Sequence, residues 1–160
     1  MNTAYLILGG NIGEKLRNMQ LAIQLINNRT GVIAKRSDIF VTAAWGNNKQ
    51  PDFINQAVCI DTALSAEELL NELLRIEEEL GRKRTDEKWG ARTMDIDILF
   101  YNNEIINRPH LKIPHPFIQE RRFVLVPMMQ IAKEFIHPVL NKSIEQLLNE
   151  CTDSLEVTKL

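Results

Sequence analysis

Thr93-Met94-Asp95-Ile96-Asp97-Ile98-Leu99-Phe100-Tyr101 (TMDIDILFY) decides the fold, because it has the period of a strand and comes after a helix. Polar and apolar side chains alternate from Met94 to Ile98, and apolar and aromatic residues follow, as in a half-buried β-strand. Just upstream, Arg82 to Arg92 is charged and reads as a loop. The helix before it is marked at both ends. Ser65 and Glu68 form an S-x-x-E capping box, Leu69, Leu73, Ile76 and Leu80 make an apolar stripe, and Gly81 supplies a C-terminal cap.

Toward the N-terminus, Phe53 to Asp61 reads as a strand and Ala43 to Asp52 (AAWGNNKQPD) as a polar loop. Val32 to Ala34 and Ile39 to Val41 make one further strand, with an irregularity at Ser37-Asp38. Leu16, Met19, Ile23 and Ile26 recur at helical spacing, which predicts a helix stopping near Asn27-Asn28. Thr3 to Leu8 is a short buried strand ending at the turn Gly9-Gly10-Asn11. The order β-α-β-β-α-β predicts a ferredoxin-like α+β sandwich, residues 1–160 forming a single domain with a C-terminal extension. In that extension shorter elements fill Ile105 to Phe135, and Ser143 with Gln146 caps a small helix. Many functions use this fold, so function has to be argued from a site.

Composition narrows the classes. With 19 Lys+Arg against 21 Asp+Glu the net charge is −2, which excludes a histone-like basic binder. Apolar residues at 44% and charged residues at 25% fit a soluble globule. The apolar start Ala4 to Leu8 is too short for a signal peptide or a membrane span. Cys59 and Cys151 are expected as free thiols in a cytoplasmic protein. We expect a monomer with no nucleic-acid or membrane partner.

Asp95 and Asp97 share one strand face while Met94, Ile96 and Ile98 face the core. Two rises of a strand put their Cα atoms ~6.6 Å apart, so the carboxylates can converge on metal ions. Few, hard oxygen ligands suit Mg²⁺, which takes waters and phosphate oxygens besides. By itself D-x-D is as compatible with an ordinary half-exposed strand as with a metal site. Arg82, Lys83, Arg84, Lys88 and Arg92 directly precede it, and a carboxylate-held ion beside guanidinium groups is what a polyphosphate needs. Trp89 in this loop stacks on a flat ligand or folds beneath the loop. No G-x-G-x-x-G or G-x-x-x-x-G-K-[ST] occurs, so phosphate handling rests on side chains and metal. His115, between Pro114 and Pro116, is either a rigidly presented phosphate contact or a plain surface residue. His137 reads as structural, and Glu77, Glu78 and Glu79 as a solvated helix face. Arg121 and Arg122 complete the basic site or cover a helix. Two other readings stay open: a Mg²⁺-dependent nucleotidyltransferase on the same core, and an RNA-binding module, the latter disfavoured by the net charge.

At Arg92-Thr93-Met94-Asp95-Ile96-Asp97-Ile98-Leu99 the chain matches a signature of the type R-x-T-x-D-[IL]-D-[IL], and there it resembles the 6-hydroxymethyl-7,8-dihydropterin pyrophosphokinases of folate biosynthesis. The resemblance extends over Gly10-Asn11, Gln50 to Asn55, the Arg82-x-Arg84 pair, Trp89-Gly90, Pro114-His115-Pro116 and Arg121-x-Phe123. It implies Mg²⁺-dependent transfer of the pyrophosphoryl group of ATP to the pterin hydroxymethyl oxygen, releasing AMP. Asp95 and Asp97 would then hold two Mg²⁺ ions, with Arg82 and Arg92 as catalytic groups. For ATP the resemblance implies Glu77, Arg84, Trp89, Arg92, Ile98 and Leu111, with His115 and Arg121 assisting. For the pterin it implies Phe53 and Phe123 on either side of the ring, with Thr42, Ala43, Trp45, Asn55 and Asp95 around it. Ala43-Ala44 stand where relatives often have proline, Phe53 where some have tyrosine, and His110 and Lys112 where others touch ATP.

Overall fold

The computed structural model describes residues 1–43, 51–81 and 93–160. The expected loop around Trp45 and the segment holding Arg82, Lys83, Arg84, Lys88, Trp89 and Arg92 lie outside the described residues. In chain order the elements are β1 (Asn2–Gly10), α1 (Lys15–Arg29), β2 (Val32–Arg36), β3 (Phe40–Thr42), β4 (Phe53–Thr62), α2 (Ala66–Glu79) and β5 (Asp95–Tyr101). They continue as β6 (Ile106–Arg108), β7 (Leu111–Ile113), a 3-10 turn (Ile118–Glu120), α3 (Arg122–Ala132), α4 (Ile144–Glu150) and β8 (Val157–Lys159).

The sheet runs β5-β1-β4-β3-β8, with β2 also on β4, and every described pairing is antiparallel. This is the ferredoxin-like arrangement, its second strand divided into β2 and β3. The break is where Ser37-Asp38 stands. Ser37 replaces the missing ladder with its own bonds, its Oγ accepting from Ala57 N–H and its carbonyl from Gln56 Nε2. β1 is longer than expected, reaching Gly10, so the turn begins at Asn11.

One sheet face carries α1 and α2. Met19, Ala22 and Ile26 of α1 and Leu69, Leu73 and Ile76 of α2 pack there on Leu6, Leu8, Ile96 and Ile98. Leu16, placed in the α1 stripe by spacing, is instead 48% exposed, since the helix has only just begun there and Ala22 completes the buried face. α1 also runs on to Arg29, whose guanidinium pairs with Glu72 and Glu79 of α2 and so closes the helix end against its neighbour. The α2 capping box is present as expected, and Gly81 follows the helix at φ +99°, a left-handed conformation that glycine adopts without strain.

The second face is covered by α3 and α4, whose Val124, Leu125, Met128 and Leu147 pack on Ile7, Ala57, Leu99 and Phe100. Shorter elements fill Ile105 to Phe135 as expected, the longest being α3, an eleven-residue helix holding Pro127. A bulge in β5 serves this second layer. Leu6 pairs with Ile98 and Tyr5 with Phe100, so Leu99 is the extra residue, and Leu99 and Phe100 both contribute to this second cluster.

His137 is structural, as expected. Its ring is buried edge-on to Phe100, and Nδ1 accepts the backbone N–H groups of Val139 and Leu140. Burial pushes its pKa below the ordinary value near 6.5. Between those two values the unfolded chain binds more protons than the folded one, so stability rises with pH across that window and falls on acidification. Thermal unfolding at pH 7.5 and at pH 5.5 checks this. Tm is expected to drop at the lower pH, and His137→Asn, which keeps an acceptor but no titrating group, is expected to flatten the dependence.

Candidate active site

The part of the second sheet face that α3 and α4 leave uncovered is the floor of a cleft of about 780 Å³. Strand periodicity places its floor residues. Asp97 pairs with Ile7 across β5 and β1, while Asp95, Gly9 and Asn55 lie abreast on β5, β1 and β4. Two inter-strand spacings of ~4.8 Å separate Asp95 from Asn55 by roughly 10 Å. The acidic pair thus occupies one end of the floor, and Phe53, Asn55, Thr42 and Ala43 the other. Asp97 is exposed and Asp95 half-buried, so both carboxylates face the opening, as the alternation predicts.

A Cβ at Gly9 would come within 2.4 Å of Asn55 Nδ2, so a side chain there would displace the Asn55 amide. That close approach lets the buried Asn55 lie across β1. Its Nδ2 donates to Leu8 O at 3.5 Å, and its Oδ1 accepts from Thr42 Oγ1 at 3.4 Å. An amide offers two N–H donors and two lone pairs, so among the described residues these two bonds use one of each. Phe53, one strand period before Asn55, shares its face.

The wall opposite is built by Phe117, Glu120, Arg121 and Phe123. Arg121 sets its guanidinium carbon 5.0 Å from the Phe117 ring centre and 5.8 Å from that of Phe123, so the cation is held between two aromatic rings. His115 is anchored to the strand of the aspartates, its N–H donating to the carbonyl of the bulge residue Leu99 at 3.0 Å. Its Nδ1 accepts from Phe117 N–H. Burial holds the imidazole below its ordinary pKa, opposed by the Asp97 carboxylate and reinforced by Arg121. His115 is thus held near Asp97 and Arg121, although it is not among the residues that line the cleft.

Three residues implied for the nucleotide sit elsewhere. Glu77 is not on a solvated helix face but 5% exposed, with its Oε2 accepting Ile96 N–H at 2.7 Å. It therefore grips the strand residue between the two aspartates. Ile98 and Leu111 have their side chains in the main core. Conversely, Phe117, Glu120, Thr152, Asp153 and Leu155 line the cleft without having been singled out in the sequence. The last three come from the C-terminal segment, whose nearness to Phe53 depends on tertiary folding alone.

The donor set fits Mg²⁺. Two aspartates facing a cleft supply hard oxygen ligands. A site of few protein oxygens, completed by water and phosphate, is the usual one for Mg²⁺.

A family model described as 7,8-dihydro-6-hydroxymethylpterin-pyrophosphokinase (HPPK) matches residues 5–133. The chain belongs to this family. It is 38% identical over 152 residues to the 2-amino-4-hydroxy-6-hydroxymethyldihydropteridine pyrophosphokinase of Aquifex aeolicus, covering 95% of this chain and 94% of that one. It is 42% identical over 147 residues to the protein of the same name from Synechocystis, covering 91% of this chain and 75% of that one. The wild-type HPPK-DHPS of Plasmodium falciparum, solved with pteroate, superposes with a TM-score of 0.76 at 17% identity. That match covers 93% of this chain but 44% of the longer one, and at such identity it speaks to the HPPK fold alone. Among the described residues no helix is long and apolar enough to cross a membrane.

Proposed function

We propose that this chain transfers the pyrophosphoryl group of ATP to the hydroxymethyl oxygen of 6-hydroxymethyl-7,8-dihydropterin, in folate biosynthesis, acting as a single-domain cytoplasmic monomer. The observation that carries this reading is the division of one cleft into an acidic end and an aromatic, amide-bearing end, in a chain of the HPPK family. The reaction forms a bond from the hydroxymethyl oxygen to the β-phosphorus. It breaks the bond from that phosphorus to the bridging oxygen, so AMP leaves and the hydroxyl proton passes to solvent.

Each end has its task. Asp95 and Asp97 would hold two Mg²⁺ ions, which offset charge on the phosphate oxygens when bound. Phe53 and Phe123 stack the flat pterin, while Asn55 and Thr42 bond its polar edge and Ala43 lies beside it. Asn55 discriminates because an edge that cannot pair would leave a buried amide unsatisfied. Arg121 on the opposite wall and His115 near it would assist at the phosphates, held there by the Phe117 and Phe123 rings and the Leu99 carbonyl. Arg82, Arg84 and Arg92 would offset charge on the phosphates, Trp89 would close over the site, and Trp45 would contact the pterin. Glu77 acts beside the acidic pair, and Ile98 and Leu111 border the nucleotide through their backbone. Positioning and electrostatics supply most of the rate, since phosphoryl transfer asks for little covalent chemistry.

Product analysis tests the reading. ATP is expected to yield AMP only when both Mg²⁺ and 6-hydroxymethyl-7,8-dihydropterin are present. Release of pyrophosphate with a nucleotidylated product would establish a nucleotidyltransferase instead.

A further inference from the structure

The N-terminus of α3 is capped from a distant part of the chain. Its N-cap residue, Arg121, makes no side-chain cap of its own. Val124 and Leu125 N–H both donate to the Arg121 carbonyl. The first helical N–H, that of Arg122, donates to Asp153 Oδ2 at 3.0 Å across 31 residues of sequence. The other oxygen of the same carboxylate accepts Leu155 N–H, also at 3.0 Å. Two residues on, β8 begins and pairs with β3, Val157 standing opposite Thr42. Asp153 itself lines the cleft.

We infer that Asp153 is a positioning residue for this site, because its carboxylate ties the start of α3 to the segment that joins β3. Arg121 and Phe123 flank the tethered residue Arg122, so this one carboxylate sets how far their wall stands from the strand that carries Thr42. A side-chain acceptor at a helix start suppresses fraying of the first turn, and the first turn of α3 is where Phe123 emerges. What the wall holds, a stacked pterin, rests on the function proposed above.

The test uses the full chain with Asp153→Ala, Phe123→Ala and the double variant. Amide exchange of the ligand-free protein is expected to quicken on the order of tenfold at Arg122 and Phe123 in Asp153→Ala. The Kd for 6-hydroxymethyl-7,8-dihydropterin is expected to rise on the order of tenfold, and Asp153→Asn, which keeps an acceptor for Arg122, to recover most of that loss. In the Phe123→Ala background, Asp153→Ala should shift the Kd less than about twofold, since no ring is left to misplace. An unchanged Kd for Asp153→Ala, or an equal loss in both backgrounds, overturns the proposal, the second result meaning general loosening. Should Asp153→Ala not fold, Asp153→Ser, too short to bridge both partners, takes its place in the cycle, and the same two results overturn the proposal. A wild-type chain that fails to bind the pterin would overturn the proposed function and this role with it. The exchange measurement, which needs no ligand, tells that failure from failure of the cap.

Discussion

Asp97→Ala is expected to lower kcat by about 10³-fold or more while leaving the pterin Kd within about threefold. Removing one preorganised electrostatic partner of a transition state costs about 10²–10³ in rate, and a carboxylate placed to hold an ion loses the ion's contribution as well. The end of the floor proposed for the pterin lies on β4 and β3, across β1 from the Asp97 strand, so ground-state affinity for the pterin has little to lose. Folding is not at stake either, because Asp97 is exposed on the sheet face and its neighbours Ile96 and Ile98 keep the core side. Steady-state kinetics in saturating Mg²⁺, with equilibrium pterin binding and Tm beside them, make the check. A kcat within threefold of the parent would remove Asp97 from the reaction. Asp97→Asn keeps the shape and loses the charge, and it is expected to fall nearly as far.

Phe100→Ala is expected to cost ~4 kcal/mol of stability, the range for deleting a fully buried aromatic. Phe100 has no exposed surface, and it meets Phe135 at 4.6 Å, His137 at 5.4 Å and Tyr5 at 6.2 Å between ring centres. Tilted and edge-on pairs of this kind add to the area term. The cavity would lie between the sheet and the α3–α4 layer, where rigid rings limit collapse. Urea unfolding should show a lowered midpoint with an unchanged slope. A loss below about 1.5 kcal/mol would mean that the second layer closes over the gap.

What could be read from the sequence was what short-range chemistry determines. The capping box of Ser65 and Glu68 involves backbone groups three residues apart, and the face shared by Asp95 and Asp97 follows from strand period alone. The break at Ser37-Asp38 announced itself through polar residues in an apolar run. α3 left no such mark, since Pro127 sits within it and its cap arrives from Asp153. Glu77 looked like its neighbours Glu78 and Glu79, yet it is buried because β5 presents the Ile96 N–H to it. Leu16 matched the helical stripe and is exposed, periodicity saying nothing about where the covering layer ends. The cleft followed the same division. Its floor was legible from alternation, and its C-terminal wall was not, because nothing local links Asp153 to Phe123.

The extra residue at Leu99 makes β5 a strand with a phase shift. Before it, odd-numbered side chains point to the cleft; after it, even-numbered Phe100 takes that side. Deleting Leu99 would remove the bulge and restore simple alternation, with Asp97 and Phe100 still on the same side of the sheet and opposite Ile7 and Tyr5. A homologue one residue shorter at this point can therefore keep the acidic pair and its aromatic backing where they are, giving up only the second apolar side chain that the bulge adds beneath α3 and α4.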